Sequence, residues 1–398
     1  MNTFMKIGFC IFGIIMSFAT YLLTIPMIHL IIMSIPNEFQ QNSIDKIYFI
    51  SKLISAFAGI GYCAFNFLFS NMRKIGVICM SITFSLVHCD SIILFFDLFY
   101  SLVIFFGNSF SQSSESFWSI LFNGTFIPYE MRLIIVIFLL IDCIILNYFA
   151  LKRGHSMIIK ELSFTSSKIQ QPIHFVHISD VHMGSRNEKH AEKIVEMILP
   201  LKPDFVVITG DLLDSPMVNP SEFDAFKKLT KQIPVYLSFG NHDYMTGEKK
   251  VRELCEYAGI QIIENDILTQ KNLNCSLIGI NDSGKTQYIK QMKIITEQLT
   301  NDTYNIMLHH RPQGEQETCQ TGKYDLMLAG HTHSGQIAPV GLLVHVAFEK
   351  PRGLHRIYHN ENEMFLYTNP GTGAWGAHMR SLDENEITFI HIEPKREE

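Results

Sequence analysis

The feature that most constrains this chain is a repeated pairing of a short apolar run with a cluster of carboxylate and imidazole residues at its end. The pairing occurs five times between residues 173 and 336. Runs of about 4–8 β-branched and aromatic residues, bounded by turn residues, are typical of strands. Because α/β proteins place their chemistry at the carboxyl ends of strands, the five clusters predict one functional site at a sheet edge.

The first three clusters belong to a strand–helix–strand repeat. The run at 173–179 ends at Asp180 and His182, the run at 205–209 ends at Asp211 and Asp214, and the run at 234–239 ends at Gly240-Asn241-His242-Asp243. Helices are expected between them at 187–199 and 221–231, because apolar residues recur there at helical spacing. Taken alone, Gly240–Asp243 would be an ordinary turn.

The last two clusters add imidazoles. The run at 304–308 ends at His309 and His310, and the run at 324–329 ends at Gly330-His331-Thr332-His333. Together the five clusters offer oxygen and imidazole donors but no thiolate, a mixture that suits two ions of Mn, Fe or Zn. The chain has eight cysteines and no Cys-x-x-Cys pair, so buried free thiols are expected rather than a disulfide framework.

Further strands are expected at 275–280, 304–308, 324–328, 342–348, 354–358, 364–368 and 387–392. These later runs are short and numerous, and no helices are expected between them. The predicted fold class is therefore α/β (α+β), a two-sheet β-sandwich flanked by helices rather than one open parallel sheet.

At this point the sequence resembles the calcineurin-like metallophosphoesterases. Their pattern is Asp-x-His, Gly-Asp-x-x-Asp, Gly-Asn-His-Asp, a separate His and Gly-His-x-His, and all five blocks occur here in order. The resemblance covers about residues 173–392, and it implies a metallophosphoesterase-like fold. The tail at 369–380 looks like that of bacterial members anchored by several N-terminal spans.

The resemblance also implies a set of metal ligands. The first ion would be held by Asp180, His182 and His333; the second would be held by Asn241, His310 and His331, with Asp211 bridging both. The neighbouring pair His309 and His310 leaves a choice open, and the family places its ligand two residues before the Pro, which selects His310.

Catalytic roles follow from the positions beside these ligands. Two adjacent cations lower the pKa of a bridging water and supply hydroxide at neutral pH. His242 stands next to a ligand and is not easily one itself, so it is the expected general acid for the leaving group. Asp214 is expected to orient the His242 imidazole, with a loop or helix-cap carboxylate as the alternative. Asp243 is expected to brace the turn.

The N-terminal part of the chain has a different composition. Apolar stretches at about 7–35, 47–70, 75–107 and 132–151 each reach the about 20 residues that a helix needs to cross a bilayer. The predicted organisation is an all-α transmembrane region of about four helices at 1–151, a linker at 152–172 and a catalytic domain at 173–398. The third stretch could instead form two spans.

The basic residues beside these stretches suggest an orientation. With four spans, Lys6, Arg73, Lys74, Lys152, Arg153 and Lys160 share one side, while Lys46, Lys52 and Arg132 share the other. The positive-inside rule then predicts a multi-pass protein of the inner (plasma) membrane with a cytoplasmic catalytic domain. A fifth span would invert this orientation.

The sequence thus predicts a membrane-anchored, dinuclear metal-dependent phosphohydrolase that cleaves phosphomonoesters or phosphodiesters, with a metal-bridging hydroxide and His242 as general acid. Its expected substrates are a phospholipid, a nucleotide-linked lipid or a soluble nucleotide. The net charge of −6 carries no basic signature for nucleic acid. Two alternatives stay open: a membrane-tethered sensor or binding module that uses the same fold, and a transporter.

Overall fold

The computed structural model describes residues 49–55, 129–337, 340–376, 378–381 and 383–395. The chain divides into two units, Met1–Phe149 and Ala150–Glu398. Residues 49–55 are helical, and a long helix, α1, spans Tyr129–His155 and includes the fourth predicted stretch. The predicted spans at about 7–35 and 75–107 lie outside the described residues.

Within the described ranges, no helix combines the length and the apolar character that crossing a bilayer requires. The predicted all-α transmembrane region is therefore not supported by the described part of the chain.

The predicted linker at 152–172 contains a strand. Helix α1 continues to His155, and β1 (Met157–Ser166) then pairs in parallel along its whole length with β12 (Asn385–Pro394). The linker prediction is wrong for this segment because a polar edge strand depends on a partner more than 200 residues away, which local composition does not reveal.

The first sheet contains six strands. After β1 come β2 (Ile173–Ile178), β3 (Phe205–Thr209), β4 (Val235–Ser238) and β5 (Gln261–Ile262), and the order across the sheet is β1-β12-β2-β3-β4-β5. Strands β2 to β5 pair in parallel, while β12 runs antiparallel to β2. The carboxyl ends of β2, β3 and β4 therefore meet at one edge.

The second sheet also contains six strands: β6 (Asp266–Gln270), β7 (Cys275–Ile280), β8 (Tyr304–His309), β9 (Leu326–Ala329), β10 (Gly353–His359) and β11 (Asn362–Thr368). Their order is β10-β11-β9-β8-β7-β6, and β7, β8, β9 and β11 are parallel. The predicted two-sheet architecture is confirmed.

Helices cover the outer faces of both sheets. The first sheet packs against α2 (Glu188–Ile198), α3 (Asp224–Thr230) and α5 (Glu248–Ala258), with the short α4 (Asn241–Thr246) between the last two. The second sheet packs against α6 (Lys285–Thr296) and α7 (Glu315–Gln320).

Successive residues of β3 face opposite sides of the first sheet: Val207 faces the core between the sheets and Ile208 faces the helices. Burial on both faces explains why these strands are continuously apolar.

Two predictions about the second half are wrong. The run at 342–348 lies largely in helix α8 (Val340–Ala347), because a short apolar run does not by itself distinguish a strand from a helix. Helices α6 and α7 also lie between strands where no helix was expected.

One buried histidine of the first sheet gives a testable pH dependence. Burial lowers the pKa of His177 to about 3, and its Nε2 lies 2.8 Å from Thr209 Oγ1. In the unfolded chain His177 binds a proton below about pH 6.5, whereas in the folded chain it binds one only below about pH 3. Stability is therefore lost as the pH falls through this window, by about 1.4 kcal/mol per pH unit.

We expect His177→Gln to reduce this slope by about that amount, measured as the free energy of unfolding in denaturant at several pH values between 6.5 and 4.5. The difference between wild type and variant cancels the other titrating groups. Exposed His345 supplies the matched control, His345→Gln. Equal slopes in wild type and His177→Gln would contradict the prediction.

Candidate metal centre

The five predicted clusters converge where the two sheets present their carboxyl ends. Asp180 and Asp211 follow β2 and β3, Asn241 follows β4, and the histidines follow β8 and β9. Backbone hydrogen bonds tie the loops together, including His182 N to Asp211 O at 3.0 Å and Gly330 N to His310 O at 2.8 Å. Residues that are 150 positions apart in the chain thereby become neighbours.

The first cluster contains Asp180, His182 and His333, whose ligand atoms lie within 4.8 Å of one another. The Nε2 atoms of the two histidines face each other at 2.9 Å, and Asp180 Oδ1 lies 3.3 Å from His333 Nε2. His182 Nδ1 lies 2.7 Å from an Asp214 carboxylate oxygen, so this contact holds the ring with Nε2 directed inward.

The second cluster contains Asp211, His310 and His331. His310 Nδ1 lies 2.7 Å from the Thr209 carbonyl oxygen, to which it donates, and this leaves its Nε2 directed at Asp211 Oδ2, 3.1 Å away. His331 Nδ1 lies 3.2 Å from the same Nε2. The predicted residue of the pair at 309–310 therefore lies in the centre.

Asp211 lies between the two groups. It belongs to the second cluster and also to a further group with His182 and His242. Burial alone would raise the pKa of Asp211, but the imidazoles of His310 and His242 lower it well below its usual range. An ionised carboxylate at this position can contact ions on both sides, as expected for a bridging ligand.

The donor atoms fit divalent cations. The Oδ1 atom of Asn241 is buried and accepts no hydrogen bond from any residue that the structure describes. A buried polar atom without a partner is costly, and coordination of a cation would satisfy it. Carboxylate, amide and imidazole donors together are a set that Mn, Fe or Zn accepts. Geometry and chemistry thus allow the two clusters, with Asn241, to hold two divalent metal ions.

The expected catalytic pair also lies together. His242 Nδ1 and Asp214 Oδ1 are 2.7 Å apart, and the same Asp214 oxygen contacts His182. Burial would lower the pKa of His242, but the carboxylates of Asp211 and Asp214 raise it to about 9. The imidazole is therefore protonated at neutral pH in the metal-free protein, with Nε2 available to donate.

Backbone strain is concentrated at the centre. Positive φ angles occur at Asp180 (54°), His182 (54°), Asp211 (53°), His331 (71°) and His333 (49°). Left-handed conformations of non-glycine residues cost on the order of 1–3 kcal/mol, and they cluster at functional sites. Here the packed loops hold these backbone conformations, which direct the five side chains toward the centre.

Two motif glycines permit the close approach of these loops. A Cβ atom on Gly210 would lie 2.6 Å from His310 Nδ1, and φ is +85° there. A Cβ atom on Gly330 would collide with the side chains of Ser179 and Asp180. Any larger residue at either position would displace a ligand.

Two polar neighbours lie outside the ligand groups. Asp243 is buried and accepts hydrogen bonds from the backbone N–H groups of Asp211, Gly240 and Leu213 at 2.9, 2.9 and 3.1 Å. It braces the turn, as expected. His309 is buried against the Tyr288 ring, with centroids 4.2 Å apart, and burial lowers its pKa to about 4.

Further polar residues support the centre from behind; the sequence offered Arg380 equally for a phosphate entrance or a structural role, and Ser185 was not predicted. Ser185 Oγ donates to Asp214, and buried Arg380 Nη2 donates to the carbonyl oxygens of Pro370 and Gly373, both at 2.7 Å. The Gly373 N–H donates in turn to Asp180 O at 2.9 Å. The structural role holds for Arg380, whereas Ser185 belongs to no recognisable spacing and one sequence gives no signal for it.

The end of helix α1 joins this support. Asn385 Oδ1 accepts from Arg380 Nε at 2.9 Å, while its Nδ2 donates to the carbonyl oxygens of Gly154 (3.0 Å) and Ser156 (2.7 Å). A chain of buried contacts therefore runs from the helix end through Asn385 and Arg380 to Asp180.

Asn385→Ala is expected to weaken binding at the first cluster more than at the second. The substitution leaves buried polar groups unpaired, and removing a residue that supports a metal ligand through hydrogen bonds lowers metal affinity by roughly 10–100-fold. Stepwise Mn²⁺ titration by calorimetry measures the two affinities. Asn362→Ala, which also removes one hydrogen bond to a backbone carbonyl, is the control. An equal loss at both sites would show that Asn385 acts only on general stability.

Comparison with known proteins agrees with this geometry. The calcineurin-like phosphoesterase family model matches residues 173–335. A metallophosphoesterase of Helicobacter pylori (strain ATCC 700392 / 26695) is 26% identical over 242 residues, 60% of this chain and 65% of that protein. A metallophosphoesterase of Campylobacter jejuni is 28% identical over 280 residues, 67% of this chain and 70% of that protein.

A further relative is described as a membrane protein. The "transmembrane protein with metallophosphoesterase domain" of Danio rerio is 31% identical over 232 residues, 55% of this chain and 52% of that protein. The match to the Helicobacter pylori relative spans less than two thirds of that protein's length. The family model, in contrast, covers the segment from β2 to the last histidine of the centre. The segment that carries the centre, residues 173–335, is therefore similar to the calcineurin-like phosphoesterases.

Proposed function

We propose that this chain is a membrane-associated, metal-dependent phosphoester hydrolase with a dinuclear metal centre. The observation that carries the proposal is the pair of ligand clusters that Asp211 joins, with His242 held beside them by Asp214. The proposed ligands are Asp180, His182, Asp211, Asn241, His310, His331 and His333. When bound, two divalent cations would hold phosphoryl oxygens and lower the pKa of a water molecule.

The chain's own residues would divide the remaining work. Asp214 fixes the His242 ring through Nδ1, so that Nε2 carries the proton for the leaving oxygen. His310 donates Nδ1–H to Thr209 O, which makes its Nε2 the nitrogen that would coordinate a metal ion. Asp243 holds the backbone of the Asp211 and Gly240 loops, and so sets the distance between ligand and acid.

We also propose a location and a substrate class for this hydrolase. Membrane association is supported by the apolar stretches within residues 1–151 and by the printed name of the Danio rerio relative. We place the catalytic unit in the cytoplasm at the inner membrane, acting on a phosphomonoester or phosphodiester. A lipid-linked or nucleotide substrate would suit such a position. A reporter fused to the C-terminus tests the orientation.

The test of activity is hydrolysis of a chromogenic phosphodiester and of the matching monoester by the purified full chain. We expect turnover that appears with Mn²⁺, disappears after chelation and returns when Mn²⁺ is restored. A sensor or binding module is the competing function. Metal content that stays near zero after purification in Mn²⁺, without hydrolysis of either ester, would favour the sensor.

A further inference from the structure

Two aromatic side chains flank the metal centre on different sides. The Trp375 ring lies edge-to-face against His242, with centroids 5.8 Å apart and an interplanar angle of 69°. The Phe348 ring contacts His331 in the same manner, at 5.5 Å and 73°. One aromatic thus lies beside the proposed general acid and the other beside a proposed metal ligand.

The backbone of Trp375 is held by a side chain from the loop that carries His333. Gln336 Nε2 donates to Trp375 O at 3.0 Å, and Trp375 N–H donates to Gln336 Oε1 at 3.1 Å. These reciprocal hydrogen bonds set the position of the indole beside His242 in the protein itself. A preorganised contact of this kind costs little ordering on binding.

An exposed methionine lies in the same short helix as His242. Met245 lies three residues after His242 in α4, is 40% exposed, and has its Sδ 3.9 Å from Asn241 Nδ2. Methionine adapts to apolar ligands of varied shape.

Three basic residues that follow proposed histidine ligands in the chain are paired with carboxylates. Arg311, which follows His310, is paired with Asp282 at 2.7 Å. Lys350 is paired with Glu315 at 2.9 Å, and Arg352 with Asp383 at 2.6 Å. Each of these cations already has a carboxylate partner, whereas an aromatic ring lies beside His242.

We propose that Trp375 and Met245 form a subsite for an apolar leaving group. The inference rests on the proposed function, because only a general acid at His242 puts the leaving oxygen beside Trp375. In the reaction the bond from phosphorus to the leaving oxygen breaks, and a water molecule bonds to phosphorus through its oxygen and releases one proton to solvent, from which His242 is later reprotonated. His242 gives its proton to the leaving oxygen, which departs as an alcohol. That alcohol carries an aryl or alkyl group next to its hydroxyl.

The experiment compares methyl, benzyl and hexyl esters of the same phosphoryl group with the Mn²⁺-loaded full chain. Because the three alcohols have similar acidity, differences in kcat/KM report contacts to the leaving group. We expect Trp375→Ala to lower the benzyl-to-methyl ratio of kcat/KM roughly tenfold. Trp375→Phe should restore most of this ratio, and Tyr358→Ala, at an exposed side chain of β10, should leave it at the wild-type value.

The hexyl ester distinguishes the two sources of an apolar group. A hexyl-to-methyl ratio that depends on Met245 more than on Trp375 would indicate an alkyl chain, and the reverse would indicate an aromatic ring. An equal loss for all three esters in Trp375→Ala would overturn the proposal and leave Trp375 a structural residue.

A binding measurement separates this proposal from the proposed activity. The chain has two tryptophans, so Trp118→Phe leaves Trp375 as the fluorophore. Benzyl phosphonate, which is not hydrolysed, should change its emission and bind more tightly than methyl phosphonate to the Mn²⁺-loaded protein. If this preference holds while no ester is hydrolysed, the proposed function fails and the subsite stands. Equal affinities for the two phosphonates would overturn the subsite.

Discussion

Asp211→Asn is expected to lower metal-dependent phosphoester hydrolysis strongly, with a loss of kcat/KM of about 10²–10³-fold. Asp211 is shared between groups of ligands, so the substitution removes negative charge from both proposed ions at once. In the wild type, Asp211 Oδ1 accepts a hydrogen bond from the backbone N–H of His242 at 2.7 Å, and the amide of the variant can present N–H donors there instead. The measurements are initial rates with saturating Mn²⁺ and metal content per chain.

The control is Asp266→Asn, at an exposed carboxylate of β6. It makes the same chemical change far along the second sheet, and it should keep wild-type rates and metal content. Wild-type-like turnover by Asp211→Asn would contradict the proposed centre. A loss of folding would be visible in the thermal unfolding transition, and the metal titration of folded material still tests the bridge.

His242→Ala is expected to keep both metal ions and to lose on the order of 10²–10⁴ in kcat, because it removes a proton donor. His242 is bonded to Asp214 through Nδ1. The loss should be larger for an alkyl ester than for a nitrophenyl ester, whose leaving group needs no proton. Measured rates for both esters, together with metal stoichiometry, check this prediction.

Asn241→Ala provides the matched comparison, since it changes the neighbouring residue of the same turn. It removes the buried Oδ1 atom proposed as a ligand, so metal should be lost at the second site and added Mn²⁺ should partly restore the rate. His242→Ala should not respond in this way. Because His242 also lies in a group of possible ligands with His182 and Asp211, loss of metal in His242→Ala would reassign it from acid to ligand.

The sequence anticipated the strand ends well because their signal is local. Continuous apolar runs such as 205–209 are buried on both faces, and the polar residues that follow them cannot continue a buried strand. The helix at 340–347 was predicted as a strand because a short apolar run fits either state. The strand at 157–166 was missed because it depends on a distant partner. The same limit applies to Arg380 and Trp375, whose roles come from contacts rather than spacing.

By itself, the sequence determined the chemical types of the site, the order of its five blocks and the two-sheet class of the fold. Only the tertiary structure decided which neighbour does what at the motif Gly240–Asp243. It turns His242 toward Asp214, ties Asp243 to the backbone and, among the described residues, gives Asn241 Oδ1 no hydrogen-bond partner. The physical reason is that adjacent residues in a tight turn point in different directions, and those directions are set by loops from other strands.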